Sequence, residues 1–336
     1  MKIKTIIVSL FILVCASINL TSCKGPEPTK PEVNHQPIDT SDINLTFSKV
    51  LNVPSQYGAT FIDISFGDTS FGALIYKKNV STFSIYRTTN NGAIWQSSQW
   101  QHPYGFPLNC IAIKKDGSEI FVGTNSGGDA YPGRYAILNT VADTLIYMGN
   151  VDLYNVGNPN FNFVQAYYNY EGALWTAMGN SLSNDGNLLV KHSNTYSLWE
   201  DIDPLLGRKN YVSAIVRKRA GENIIGMFDY NGFQKGIFIK YNYSDKYVLL
   251  DISTSTPYQT EYPMSLSLNS SEKLLAAYGG EVNNNRLYVS TMSLGLWRRI
   301  NHSGILGNFK SAKFDNQDYI WVCTDNGLYK SDSPVK

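Results

Sequence analysis

From Ile43 onward the apolar residues come in short runs rich in Val, Ile, Tyr, Phe and Trp, separated by clusters of Gly, Asn, Asp and Ser. No stretch sustains the 3.6-residue period of an amphipathic helix, so the pattern predicts an all-β domain. One motif recurs six times: an aromatic residue or proline, an apolar residue, a small polar residue and a second apolar residue. The copies are Phe61-Ile62-Asp63-Ile64, Pro107-Leu108-Asn109-Cys110, Phe163-Val164-Gln165-Ala166, Tyr211-Val212-Ser213-Ala214, Pro263-Met264-Ser265-Leu266 and, with a lysine in second place, Phe309-Lys310-Ser311-Ala312. Their polar members return about every 50 residues, a period in the range of propellers and solenoids.

Further strand patterns run in phase with the first. A second follows about ten residues after each polar member, as in Ala73-Leu74-Ile75-Tyr76 and Ile320-Trp321-Val322-Cys323. Third strands come next, as in Phe83-Ser84-Ile85-Tyr86, and fourth strands open on Trp95, Tyr147, Trp199, Tyr247 and Trp297. The sixth repeat lacks a fourth strand, while Leu45 to Val53 forms a lone strand pattern ahead of the first repeat. Pairing that strand onto the last sheet closes a ring and leaves no long unpaired edge. The expected fold is therefore a six-bladed β-propeller of four-stranded antiparallel blades over residues 43–336. Five or seven blades would leave strands unassigned.

The N-terminal region has a different character. Lys2 and Lys4 precede a nearly uncharged apolar run from Thr5 to Leu20, the layout of a secretory signal. As a helix the run covers roughly 24 Å, short of the ~30 Å of hydrocarbon that a span must cross. Leu20-Thr21-Ser22-Cys23 resembles the lipobox of bacterial lipoproteins, which implies cleavage before Cys23 and lipidation of its sulfur. Residues 1–22 are then the leader. Residues 23–42, with Pro26, Pro28, Pro31 and Pro37, read as a semi-extended tether. The resemblance implies a cell-envelope location with the membrane as partner through the lipid, and Lys24 beside the lipid points to the outer membrane.

Two segments carry a resemblance for the domain itself. Thr88-Thr89-Asn90-Asn91-Gly92-Ala93-Ile94-Trp95 resembles the Asp-box of sialidase-like (BNR) repeat proteins, with Asn in the place of the Asp. Ile320 to Tyr329 looks like a repeat of regulator-type propellers, with Cys323 where a Gly is usual. In physical terms the first segment is a hairpin device. Asn91-Gly92 supplies positive φ, the Asn90 side chain holds backbone N–H groups, and Trp95 packs beneath the turn. It predicts architecture and is silent on catalysis.

Charge and chemistry narrow the function. Of 28 basic residues the leader removes Lys2 and Lys4, leaving 26 against 27 acidic ones, with no basic run to suit a nucleic acid. Cys110 and Cys323 fall on blades that are not neighbours and are expected as buried free thiols. His35, His102, His192 and His302 are scattered without metal-ligand spacing, so neither metal nor cofactor is expected. The sialidase resemblance implies three convergent arginines, but the family's Arg-Ile-Pro motif is absent, and the arginines present fall mostly in third or fourth strands or peripheral loops. A glycosidase needs two carboxyl groups roughly 5–10 Å apart. Among the six polar positions only Asp63 is acidic, and Glu261 stands two blades away.

The reading that remains is a monomeric recognition module. Its expected ligand face is an axial funnel formed by Asp63, Asn109, Gln165, Ser213, Ser265 and Ser311. Rings just ahead of the inner strands, Tyr57, Tyr104 and Tyr262, would rim it and stack on a glycan or an envelope protein. The alternative is a glycan-active enzyme on the same face, using Asp63.

Overall fold

The repeated apolar runs become 24 strands, and the described residues contain no helix. A computed structural model describes residues 41–53, 58–79, 82–98, 100, 107–124, 134–150, 162–180, 185–191, 200–201, 210–229, 234–244, 246–250, 263–279, 285–290 and 296–335. Four sheets have four strands each. They are β2 (Thr60–Phe66), β3 (Gly72–Lys77), β4 (Phe83–Thr88) and β5 (Gln96–Ser97); then β6 (Leu108–Ile113), β7 (Glu119–Thr124), β8 (Arg134–Asn139) and β9 (Thr144–Asn150). The third holds β10 (Asn162–Tyr168), β11 (Leu174–Asn180), β12 (Asp185–Lys191) and β13 (Glu200–Asp201), and the fourth β14 (Asn210–Arg217), β15 (Asn223–Asp229), β16 (Gln234–Lys240) and β17 (Val248–Leu250).

The remaining strands form one eight-stranded sheet rather than two separate ones. It runs β18 (Ser265–Leu268), β19 (Leu274–Tyr278), β20 (Arg286–Ser290), β21 (Trp297–Ser303), β1 (Ile43–Asn52), β24 (Gly327–Ser331), β23 (Ile320–Thr324) and β22 (Phe309–Phe314). The strand ahead of the first repeat joins the two halves. Phe47 to Asn52 pairs antiparallel with β24, as the closure argument expects. Ile43 to Thr46 also pairs parallel with β21, which the sequence did not suggest. The double pairing needs a close backbone approach, and Gly304 (φ 86°) supplies it: a Cβ there would stand 2.3 Å from the Phe47 carbonyl oxygen.

First strands of consecutive repeats lie side by side, β2 against β6, β6 against β10, and so on to β22, which returns to β2. Between each neighbouring pair of repeats sits an apolar cluster. One example is Phe61, Ile64, Leu74, Tyr76, Trp321, Cys323 and Leu328 between the first and sixth. The second strands are sandwiched on both faces, and β19 and β23 are buried along their whole length. That is why they read as continuous apolar runs without alternation.

The Thr88–Trp95 segment folds as its residues suggest. Asn91 and Gly92 have φ of 55° and 81°, Asn90 Oδ1 accepts the Ile94 N–H at 2.9 Å, and Trp95 lies edge-on to Phe66 and Trp321. Gly92 is required twice over, because a Cβ there would also meet the Trp321 ring at 2.2 Å.

Because β1 buries Leu45 and Phe47 among Leu287, Ile300, Phe309 and Tyr329, its removal strips side chains worth roughly 5 kcal/mol or more from the core and opens two sheet edges. Deleting residues 41–53 should lower the thermal midpoint by about 10 °C or more, at ~2–4 °C per kcal/mol. Deleting 24–40 should leave it unchanged. Calorimetry of the two truncations checks this.

Candidate functional site

A recurrent β-bulge builds the axial region. The register between first and second strands slips at Phe61/Asp63, Leu108/Cys110, Phe163/Gln165, Val212/Ala214 and Phe309/Ser311. A bulge leaves backbone groups without ladder partners and re-aims the adjacent side chain. Beside these five slips stand Asp63, Asn109, Gln165, Ser213 and Ser311, while Ser265 holds the matching place in β18, whose register with β19 shows no slip; all six bind groups of other repeats. Asp63 Oδ2 accepts the Ile111 N–H at 3.0 Å, while Oδ1 accepts the Ile64 N–H at 2.9 Å and the Ser311 hydroxyl at 2.6 Å. Asn109 donates to the Phe163 carbonyl. Gln165 donates to the carbonyls of Ile215 and Leu266 and accepts the Leu266 N–H. Ser213 donates to Pro263, and Ser265 donates to the Ala312 carbonyl while accepting its N–H. The bond from Ser311 to Asp63 completes the circuit.

These six residues were expected to face a ligand. Instead Asp63, Gln165, Ser213, Ser265 and Ser311 are 2–5% exposed and engaged by protein, and Asn109 is half-buried. The physical reason is that the bulged backbone must be satisfied, and these are the nearest polar groups. Gln165 also lines a cavity. Tyr57, Tyr104, Tyr262 and Cys23 lie outside the described residues.

The sequence reading overlooked a second row of ties. Ser65 Oγ accepts the Ile113 N–H and Ser267 Oγ accepts the Phe314 N–H, both at 3.1 Å. Lys313, in the corresponding place of the last repeat, is buried and donates to the Leu266 carbonyl at 2.9 Å. The available signal was a second polar residue two positions after the first in three repeats.

Burial governs the charges at the axis. It pushes the Asp63 carboxyl above its usual range, against the pull of the Lys313 ammonium and the hydrogen bonds from Ser311, Ile111 and Ile64. Burial likewise pulls the Lys313 ammonium down, against the attraction of Asp63. Cys110 and Cys323 are buried free thiols, raised well above the ordinary thiol range chiefly by burial and further by Asp63. Neither suits a nucleophile that must ionise near neutrality. Among the described residues no three His, Cys, Asp or Glu side chains gather to hold a metal.

The turns that follow the inner strands form a face of their own. Five share one geometry, in which the N–H of Gly117, Gly172, Gly221, Glu272 or Asp318 donates to the carbonyl three residues earlier. Each of these donors has positive φ, which Glu272 (59°) and Asp318 (65°) adopt without being glycine. Both acids use the position to fasten the preceding turn. Glu272 Oε1 accepts the Arg219 N–H at 2.7 Å, and Asp318 accepts the N–H and hydroxyl of Ser270 at 3.0 and 2.8 Å.

Inside this ring of turns lies a cavity of about 290 Å³. Ile111, Gln165, Leu266 and Lys313 contribute at its inner end, and Tyr167, Tyr168, Tyr170, Arg217 and Arg219 line its wall with Asp68, Lys115, Glu272 and Asp315. Arg217 and Arg219 therefore stand on the axial cavity, where the sequence had suggested peripheral places for the arginines. The Arg217 guanidinium is 4.5 Å above the Trp175 ring.

Neither a family model nor a curated protein matches the sequence. Solved structures are similar in shape. A gluconolactonase from Xanthomonas campestris has a TM-score of 0.58 at 7% identity, covering 85% of this chain and 88% of that one. A domain described as the extracellular part of a one-component system from B. thetaiotaomicron has a TM-score of 0.51 at 13% identity, covering 84% of this chain and 39% of its own. A WD40 β-propeller domain has a TM-score of 0.50 at 8% identity, covering 86% and 98%. At such identities the likeness defines the fold, a β-propeller, and nothing about activity.

The Ser311–Asp63 bond favours the ionised carboxylate, so Ser311→Ala should cost about 1.5–3 kcal/mol at neutral pH. Burial holds the folded Asp63 carboxyl above its ordinary pKa of 3.8, so its own contribution to stability is complete below 3.8 and is lost as pH rises through the folded pKa. The gap between wild type and Ser311→Ala should accordingly narrow as the pH falls and Asp63 protonates in both. Urea titrations between neutral and acid pH check the sign.

Proposed function

We propose that the chain is a lipid-anchored, extracytoplasmic recognition module, held to the membrane through Cys23, whose six-bladed propeller presents a ligand seat on its axis. In this reading the eight-stranded sheet is two blades bridged by β1. The seat is the cavity of Tyr167, Tyr170, Arg217 and Arg219 on the turn face, and its ligand is a glycan or an envelope protein. Tyr57, Tyr104 and Tyr262, which precede the inner strands in the sequence, are kept as a second candidate surface.

One observation carries the non-catalytic reading. Asp63, the acid on which the glycosidase alternative relied, has both oxygens engaged by backbone N–H groups and Ser311. A carboxylate with every contact serving the scaffold is poorly placed to exchange a proton with a sugar. The enzyme alternative draws support from the gluconolactonase among the similar structures, and would have to use a wall carboxylate such as Glu272 or Asp68 instead.

The test is a glycan and envelope-protein binding screen on the purified protein and on variants at either surface. Tyr170→Ala should weaken ligand binding about tenfold or more, by loss of an aromatic contact, while Tyr104→Ala and Tyr262→Ala should not. Loss in the latter pair would move the seat to the second surface, and substrate turnover abolished by Glu272→Gln would establish the enzyme. Labelled palmitate should enter the wild type and be absent from Cys23→Ala; equal labelling would overturn the anchor.

A further inference from the structure

We propose that the turn-face cavity takes a small sugar acid, with its carboxylate held by Arg217 and Arg219 and its ring against the wall tyrosines. This deepens the recognition reading and rests on the cavity being the ligand seat.

The first observation is an asymmetry in how the charged wall residues are engaged. The acids have partners within the protein. Asp68 is 3.5 Å from the Lys115 ammonium, and Glu272 accepts the Arg219 N–H. Asp315 accepts the Trp321 indole N–H at 2.8 Å, two backbone N–H groups, and the Lys330 ammonium at 3.5 Å. The arginines are not matched in this way. Arg217 has a single long contact from Nη1 to Asn223 at 3.5 Å, and its buried Nε has no hydrogen-bond partner among the described residues. The Arg219 side chain is exposed on its turn, and its backbone N–H, rather than its guanidinium, engages Glu272. Lys313, deeper in the cavity, has three donors, one of which is directed at the Leu266 carbonyl.

The second observation is preorganisation. Arg217 lines the cavity, and its guanidinium is restrained by contact with the Trp175 ring, which lowers the entropy lost when it closes on a planar carboxylate. The third is size and lining. About 290 Å³ lies at the small end of ligand pockets and suits one sugar ring. Tyr167 and Tyr170 line the same cavity, Tyr170 with its side chain exposed, while Tyr168 is packed in the core. Lys115, Arg217, Arg219 and Lys313 face Asp68, Glu272 and Asp315 around the cavity, which leaves one net positive charge and matches a monoanion better than a phosphate dianion.

Isothermal titration of the purified protein with D-glucuronate and D-galacturonate, each beside its neutral counterpart glucose or galactose and beside glucose 6-phosphate, tests the assignment. At least one uronate should bind about tenfold or more tighter than its neutral partner and than the phosphate. Arg217→Gln and Arg219→Gln should each remove most of that preference. Arg217→Lys should restore only part of it, because a lysine lacks the fork. Arg219 is on an exposed turn, so its variant keeps the test valid even if Arg217→Gln unfolds, which thermal denaturation would reveal. Equal binding of acid and neutral sugar, tighter binding of the phosphate, no binding of either uronate, or an intact preference in Arg219→Gln would each overturn the proposal. If neutral sugars bind and Tyr170→Ala abolishes it, the seat stands and only the ligand class falls.

Discussion

Strands that gather side by side around an axis without forming a ladder to one another leave backbone N–H and C=O groups facing neighbours they cannot pair with. In this chain the bulges of the inner strands add to that deficit. A buried backbone group without a partner costs free energy comparable to a lost hydrogen bond. The polar side chain at the repeated position of each inner strand meets the need: Asp63 takes the Ile111 N–H, Ser265 takes that of Ala312, and Gln165 reaches both Ile215 and Leu266. The apolar clusters between repeats then pack against a frame whose spacing these bonds determine. Gln165, Leu266 and Lys313 of that frame also line the turn-face cavity.

The arrangement has a cost concentrated at Asp63 and Lys313. Serine would satisfy one or two groups without burying charge, as it does at Ser213 and Ser265. Asp63 accepts three hydrogen bonds on two oxygens and links the first repeat to the second and the sixth, which a serine could not do. Lys313 stands near enough to attract it, so each offsets part of the other's desolvation. This is the place where the ring must join its last repeat to its first. At the rim β1 crosses from β21 to β24 and bridges the fifth repeat to the sixth, a second and separate tie on the last repeat.

The repeat period, the strand order within each repeat and the role of the N-terminal strand were legible because apolar runs and turn residues record them directly. The polar positions were legible as positions and misread as to role. A polar residue in an alternating strand looks as though it faces the channel, and nothing in Phe61-Ile62-Asp63-Ile64 announces the bulge that turns Asp63 toward Ile111. The parallel pairing of Ile43–Thr46 with β21 was invisible because it depends on Gly304 letting two distant backbones touch. Arg217 and Arg219 escaped notice because they follow an inner strand rather than occupying its repeated motif. Their significance comes from the curvature that brings six turns around one cavity.

The central claim is that the axial polar groups are scaffold, and amide hydrogen exchange at Ile111, Leu266 and Ala312 measures it most directly. Their N–H groups are bound by side chains of other repeats, from the adjacent repeat at Ile111 and Ala312 and from two repeats away at Leu266. If those bonds hold the ring, the three amides exchange only through global unfolding, as slowly as the best-protected amides of the second strands, and saturating ligand leaves their relative rank unchanged. Exchange through local opening, or protection that arises only when ligand is added, would contradict the account and return these residues to the binding face.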